Sequence, residues 1–312
     1  MEGVRTVKNK LINIFGIINL IVLFLTGCYE KTDDNRLKIV TTIFPQYDFA
    51  SHITGDKANI TMLLTPGSES HTYEPSPSDI AKIQQADLFI YNGGESEVWV
   101  DEILKSTGND KINTMRLMDY IEPLEEIHND NANDHEHEYD EHIFTSLKNA
   151  DLLLNAISEE ICDLDKSNSS IYKENTEKYS KQITELDKSF EDMINSSKRK
   201  TVVFGDRFPF RYFAEDYDLL YHAAFSGCSS ETEASSAAVS QLITYVKEND
   251  IPIIFYIEFS SQKTADKIAE ASGSNTALLH SCHNISKEDI KNKTSYIDIM
   301  QNNFENLSEA LN

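Results

Sequence analysis

A single histidine stands in the segment of this chain that is richest in turn-forming residues. The segment Leu64–Asp79 reads LTPGSESHTYEPSPSD, and His71 lies in it among three prolines and one glycine. A strand-like run precedes the segment and a helical pattern follows it. The segment is therefore predicted to leave the carboxyl end of a strand, where open α/β sheets place ligands. An imidazole there can ligate a metal ion, although a lone loop histidine is more often merely exposed.

More imidazoles lie in an almost wholly polar stretch, Glu122–Glu141 (EPLEEIHNDNANDHEHEYDE). His128, His135 and His137 stand in it among acidic side chains. Because this stretch cannot bury apolar area, it is predicted to be a surface loop. Short His-rich tracts commonly bind soft divalent metals, so these three residues are candidates for auxiliary metal capture. The alternative is a solvated acidic loop.

The elements that must position these residues alternate between strand-like and helical patterns. Strand-like runs lie at Leu37–Ile43, Asn59–Leu64, Asp87–Tyr91, Thr201–Phe204, Leu219–Ala224, Ile253–Ile257 and Ala277–Leu279, and helical patterns at Tyr47–Ile53, Pro77–Gln85, Ser235–Lys247, Ala265–Ala271 and Tyr296–Leu311. Such alternation predicts parallel βαβ units. Because the pattern occurs twice, we predict an α/β protein with two Rossmann-like parallel-sheet lobes.

One long, rigid helix is predicted to join the two lobes. Residues 168–197 contain neither glycine nor proline, and their apolar side chains recur at helical spacing: Ile171, Tyr179, Ile183, Leu186, Phe190 and Met193. A helix of about 26 residues is roughly 39 Å long and would act as a strut. A helical hairpin or coiled-coil arm is the alternative. The predicted lobes are then 37–167 and 198–312.

The first residues have the organisation of an export signal. Basic residues precede an apolar stretch, Leu11–Leu25, that is too short for a comfortable transmembrane helix. It ends in Leu25-Thr26-Gly27-Cys28, which resembles the bacterial lipobox, where cleavage before the cysteine accompanies lipidation of its thiol. Residues 1–27 are therefore predicted to be a signal peptide and 28–36 a tether, anchored by lipid on Cys28. The alternative is an uncleaved anchor helix.

Composition excludes several classes of protein. The 312 residues include 28 Lys+Arg and 52 Asp+Glu, a formal net charge of −24. Nucleic acid is therefore a poor partner, because phosphate binding needs clustered basic side chains. No apolar run is long enough to cross a bilayer as a mature helix, which excludes a channel or permease. The chain lacks H-E-x-x-H, G-x-S-x-G and a Gly-rich phosphate loop, so an enzyme is not expected.

The His71 segment resembles the motif P-G-x-x-x-H-[ST]-[YF]-E-P-[ST]-P of cluster-A substrate-binding proteins, the metal receptors of bacterial zinc and manganese ABC importers. The matching residues run from Pro66 to Pro77, and the similarity extends to Thr41–Asp48 and Ala86–Gly93. The resemblance implies two lobes joined by a long helix, with a metal site in the cleft between them. It implies His71 as a ligand. Tyr73 and Glu74 are candidates for orienting the loop that carries His71.

The resemblance implies a second ligand and leaves the third in question. The family's D-P-H-[IV]-W segment corresponds to Asp140–Phe144, which implies His142. Gly205 stands where the family commonly has a histidine, in V-x-H-D-A-[FY], and has no side chain to donate. The family's acidic ligand after the last strand corresponds to His283, which is expected to ligate, the alternative being an exposed loop histidine. Neighbouring His280 is expected to pack.

Three imidazoles favour Zn²⁺, which takes histidine nitrogens in tetrahedral geometry, over Mn²⁺, which prefers more oxygens. The fourth position is open to Asp206, Cys228, Glu258 or a water. Cys228 and Cys282 lie in loops predicted to leave the same end of the sheet. A disulfide between them is one interpretation, and a thiolate ligand or two free thiols are the others. Cys162 is predicted to be an inert core thiol.

The function that the resemblance implies is that of a receptor rather than an enzyme. The protein would be a monomer, exported and lipid-anchored to the outer face of the bacterial cell membrane. It would capture Zn²⁺, deliver it to an ABC-type metal permease and so serve zinc homeostasis. A manganese or mixed-metal receptor of the same fold is the alternative, and a metal-dependent hydrolase or a cell-surface adhesin is less favoured.

Overall fold

The structure is a computed structural model that describes residues 35–107, 112–126, 139–225 and 234–312. The predicted signal peptide, Cys28, Cys228 and the histidines at 128, 135 and 137 lie outside these stretches. Within these stretches, no helix combines the length and the apolar composition needed to span a bilayer.

A parallel four-stranded sheet forms the first half. Its strands are β1 (Leu37–Thr41), β2 (Ala58–Met62), β3 (Leu88–Tyr91) and β4 (Asn113–Arg116), in the order β2-β1-β3-β4. Helices α1 (Phe44–Thr54), α2 (Pro77–Gln84) and α3 (Val98–Thr107) connect them. β3 is buried throughout because its residues alternate between two apolar clusters, one on each face of the sheet.

Two long helices follow, α4 (Leu147–Leu164) and α5 (Ser169–Ser196). α5 is the predicted joining helix, and its 28 residues span about 42 Å. Its buried face comprises Tyr172, Thr176, Tyr179, Ile183, Leu186, Phe190 and Ile194. The predicted face was wrong at Ile171, which is 41% exposed, because the stripe that packs against α4 and α1 begins at Tyr172.

The second half repeats the arrangement of the first. Strands β5 (Thr201–Phe204), β6 (Leu220–Ala223), β7 (Ile253–Tyr256) and β8 (Asn275–Leu278) pair in parallel in the order β6-β5-β7-β8. The helices are α6 (Arg211–Asp216), α7 (Ser236–Glu248), α8 (Lys263–Ser272), α9 (Lys287–Asn292) and α10 (Tyr296–Leu311). The prediction of two parallel-sheet α/β lobes is confirmed.

One apolar core runs through both halves. It includes Ile39 of the first sheet, Phe190 of α5 and Phe204 of the second sheet. The Tyr296 hydroxyl on α10 donates to the Phe144 carbonyl at 2.9 Å, which ties the halves together from within. Since residues 36–312 are one compact unit, the lobe boundaries at 167/168 and 197/198 stay predictions.

Two strand ends determine where the site loops begin. β2 ends at Met62, two residues before the predicted end, and β8 ends at Leu278. The loops that follow, 63–76 and 279–286, leave the carboxyl ends of edge strands in their respective sheets.

Candidate metal centre

Three imidazoles meet at the carboxyl ends of the two sheets. His71, His142 and His283 offer one ligand atom each, and these atoms all lie within 4.8 Å of one another. The ring centroids are 5.2 to 5.8 Å apart. In the described part of the chain this is the one group of three or more metal-ligating side chains at such distances. The sequence thus predicted which histidines the fold would bring together.

The His71 loop is held by the loop of the opposite half. Gly67, at φ 85°, donates its N–H to the Ile285 carbonyl at 2.8 Å. The Asn284 amide donates to the carbonyls of Thr65 at 2.9 Å and Ser68 at 2.7 Å. These bonds fix the two loops against each other, so His71 and His283 are positioned as a pair.

His142 directly precedes the short 3-10 turn Ile143–Thr145 and is 1% exposed. The Asp140 carboxylate accepts the His142 N–H at 2.8 Å and contacts its Nδ1 at 3.1 Å. The Thr145 hydroxyl donates to the His142 carbonyl at 2.8 Å. These bonds fix both the main chain and the ring of His142.

His283 is also buried, at 7% exposure, so the alternative of an exposed loop histidine is wrong. Its ring lies 5.3 Å from that of Phe144, between centroids. Burial, and next the positive charges that His142 and His71 carry when protonated, hold the pKa of His283 well below its ordinary value. A neutral imidazole can accept a metal ion without first losing a proton.

Each of the three rings has an oxygen partner at Nδ1. Glu141 Oε1 lies 3.2 Å from His71 Nδ1, Asp140 Oδ1 lies 3.1 Å from His142 Nδ1, and Ser70 Oγ lies 3.2 Å from His283 Nδ1. Oxygen partners on one ring nitrogen set the tautomer and orientation of a metal-binding histidine and direct the other nitrogen to the ion.

Tyr73 and Glu74, which the sequence suggested as residues that orient the His71 loop, are not among these oxygen partners. Tyr73 packs against Trp99 with ring centroids 5.7 Å apart, and Glu74 is exposed. The Glu141 carboxylate is 5% exposed. Burial alone would raise its pKa, but the contact with His71 and the charges of the three imidazoles outweigh burial and lower that pKa to about 2. The sequence offered one signal for this role: Glu141 directly precedes His142, at the position where the family motif has proline.

Gly205 cannot be replaced by a ligand in this fold. A Cβ atom there would lie 2.3 Å from Ala265 Cα and 2.6 Å from Ala265 N, at the start of α8. Ala265 is fully buried, so the backbone of α8 fills the space that a histidine side chain would need. His283, in the loop after β8, supplies the imidazole of the second half instead.

Two candidates for the fourth position, Asp206 and Glu258, accept hydrogen bonds from the loops around the site, and Cys228 lies outside the described residues. Asp206 accepts N–H bonds from Arg207 at 2.8 Å and Ile257 at 3.2 Å, and a short bond from the Ser260 hydroxyl. Glu258 accepts from the Ser281 N–H at 2.8 Å and from its hydroxyl at 2.6 Å. Both carboxylates lie outside the group of three histidines, although Glu258 lines the same cavity.

The three histidines line a cavity of about 20 Å³, which is large enough for one water molecule. Glu69 and Arg207 form part of its wall and bridge the halves, with Arg207 Nη2 3.2 Å from Glu69 Oε2. The sequence missed this ion pair because its partners are 138 residues apart. A water as the fourth ligand stays a prediction.

The disulfide interpretation involves Cys228, which lies outside the described residues, so it stays a prediction. Cys282 has no exposed surface and lies in the main apolar core. Cys162 is a free buried thiol, as predicted. His280 packs as expected: its Nδ1 accepts the Cys282 N–H at 3.0 Å.

Known proteins share this fold and sequence pattern. The family profile "ZnuA: Zinc-uptake complex component A periplasmic" matches residues 39–310. The zinc-binding lipoprotein AdcA of Streptococcus pneumoniae is 32% identical over 301 residues, which cover 94% of this chain and 60% of the relative. The high-affinity zinc uptake system protein ZnuA of Bacillus subtilis is 32% identical over 283 residues, 89% of this chain and 88% of the relative.

A solved structure of a relative has the same fold. The crystal structure of the Zn(II)-bound ZnuA-like domain of S. pneumoniae AdcA matches with a TM-score of 0.75 and 30% identity, over 89% of this chain and 99% of that domain. The chain spans about 60% of the length of the first curated relatives it matches.

Proposed function

Because this chain belongs to the zinc-uptake complex component A family, we propose that it is a receptor that captures Zn²⁺ and delivers it to an ABC-type metal permease. The family is one of uptake components rather than enzymes, and capture and delivery require no chemical reaction. The observation that carries the proposal is the convergence of His71, His142 and His283, whose ligand atoms lie within 4.8 Å of one another.

Zinc fits this set of donors better than manganese. The oxygen partners at Nδ1 leave Nε2 as the nitrogen that each ring would present to the ion. Three neutral nitrogens and one water make a tetrahedral zinc site, whereas manganese favours more oxygen ligands. The Zn(II)-bound domain of the pneumococcal relative supports the same choice.

The setting of the receptor is also part of the proposal. Lipid on Cys28 would hold the protein at the outer face of the bacterial cell membrane, and the lipoprotein name of the pneumococcal relative supports such an anchor. We propose that the receptor acts as a monomer. A net charge of −24 would draw divalent cations to the surface. His128, His135 and His137 would then gather ions near the metal centre. Adhesion to other surfaces stays a prediction.

Elemental analysis of purified protein tests the proposal. The wild-type protein should carry one zinc per chain, and His71→Ala should carry almost none. His280→Ala is the matched control, because His280 lies in the site loop of the second half but outside the group of three, and it should keep its zinc. One tightly held zinc per chain in His71→Ala would contradict the proposed function.

A further inference from the structure

Behind the His71 ring lies a buried acid that a metal ion would not touch. Glu141 Oε1 approaches His71 Nδ1 at 3.2 Å, and Glu141 Oε2 accepts from the N–H of Ser96 at 3.1 Å and from its hydroxyl at 2.8 Å. A carboxyl group whose oxygens face only donors is ionised, because an ionised carboxylate is acceptor-only.

The chain around Gly94 is shaped to receive this carboxylate. Gly94 has φ 100°, and a Cβ on it would lie 2.6 Å from Glu141 Oε2 and 2.8 Å from Glu141 Cβ. The Asn92 amide donates to the Glu141 carbonyl at 2.7 Å. Glycine at 94 is therefore required both by the backbone conformation and by the close approach of Glu141.

The ligands that would touch the ion are neutral, so the charge of a dication must be balanced from outside them. Two buried carboxylates supply this negative charge. Glu141 contacts the His71 ring, and Asp140 contacts the His142 ring. Arg207 at the cavity wall is itself paired with Glu69. Coulomb attraction is proportional to the charge of the bound ion, so a fixed anion stabilises a dication twice as much as a monocation.

We propose that Glu141 is a positioning residue that sets the preference of the site for a divalent over a monovalent cation. It fixes the His71 ring and places a negative charge one imidazole away from the ion. This inference rests on the proposed zinc site.

Competition with chromophoric chelators for Zn(II), and for Cu(I) without oxygen, tests this role in purified protein. Glu141→Gln removes the charge at nearly constant volume. Its Zn(II) affinity should fall by about 10- to 100-fold, the usual effect of losing such a partner, and its Cu(I) affinity by only about 3- to 10-fold. Glu141→Asp keeps the charge and should keep the ratio of the two affinities.

Glu97→Gln is the matched control. Glu97 is also buried and accepts the Gly93 N–H at 2.7 Å in the same turn, and its change should leave both affinities within about twofold. Equal losses of Zn(II) and Cu(I) affinity in Glu141→Gln, or no loss, would overturn the inference while leaving the zinc receptor intact. If wild-type protein bound no zinc, the proposed function itself would fail.

Discussion

The loop that follows β5 and the loop that follows β8 leave the same end of the second sheet, but only the β8 loop brings an imidazole to the metal centre. After β5, the main chain at Gly205 is covered by Ala265 at the start of α8. After β8, Ser281–Ile285 lies against the His71 loop and places His283 beside His71.

The difference shows that packing decides which position can carry a ligand. The Asp206 carboxylate ties the β5 loop to the loop after β7 through Ile257 and Ser260, so this corner of the sheet is filled by backbone. The β8 loop is instead bonded to the opposite half, and its residues Ser281, His283 and Asn284 line the cavity. His283 can therefore supply a ligand even though Ala265 fills the space beside Gly205.

The largest expected effect is the loss of His283. A four-ligand structural zinc site is worth about 10–16 kcal/mol, or roughly 3 kcal/mol for each ligand, so His283→Ala should weaken zinc binding about 100-fold. His280→Ala, in the same loop, should change affinity less than threefold. Competition with a chromophoric chelator measures both. Because His283 is buried, His283→Gln and thermal melts of metal-free protein control for misfolding.

Restoring a histidine at Gly205 should not rescue the site. Gly205→His should destabilise the metal-free protein by about 2 kcal/mol, because overpacking against backbone forces α8 to shift. Gly205→Ala should show most of this loss, since the clash begins at Cβ. Urea denaturation measures the free energy of unfolding. If a stable Gly205→His/His283→Ala protein bound zinc like the wild type, the claim that packing leaves no space for a histidine ligand at position 205 would be refuted.

A smaller effect is expected from the partner of His283. Ser70→Ala removes the oxygen that lies 3.2 Å from His283 Nδ1, and zinc affinity should fall about tenfold because the ring loses its fixed orientation. Thr72→Ala, an exposed neighbour in the same loop, is the control and should bind zinc normally. Unchanged affinity in Ser70→Ala would show that core packing alone orients His283.

The smallest effect concerns pH and the β5 loop. Burial raises the pKa of Asp206 against the lowering effect of its bonds with Ser260 and the neighbouring N–H groups. A raised folded pKa means that the contribution of Asp206 to stability is greatest below the ordinary value of 3.8 and is lost as pH rises through the folded value. Relative to Asp206→Asn, the metal-free wild type should lose less than about 1 kcal/mol between pH 4 and pH 7. Urea denaturation at both pH values measures the difference. If the wild type gained stability relative to Asp206→Asn between pH 4 and pH 7, the pKa of Asp206 would be lowered in the folded protein, and the prediction would be wrong.

The sequence predicted the parts of the fold that repeat a local pattern. The apolar runs of β1, β3, β5 and β7 and the long α5 helix each carry their own periodicity. β4 was missed because only Met115 in it is buried, which leaves no pattern to detect. The three histidines were predictable because each stands in or beside a recognisable motif.

The environment of the histidines was not predictable, because it depends on contacts between distant segments. Glu141 reaches His71 across 70 positions of the chain, and Ser70 reaches His283 across 213. The packing of Ala265 on Gly205 is likewise tertiary. The family motif shows that a histidine is missing at Gly205. Only the structure shows the reason, which is the packing of Ala265 against that position.

X-ray absorption at the zinc edge tests the central claim most directly, because it counts the imidazoles bound to the ion. Zinc-loaded wild-type protein should show three imidazole nitrogens and one oxygen at about 2.0–2.1 Å. His283→Ala, loaded at high zinc concentration, should show two imidazoles, and His280→Ala should show three. Three imidazoles in His283→Ala, or only two in the wild type, would contradict the assignment of His283 as the ligand of the second half.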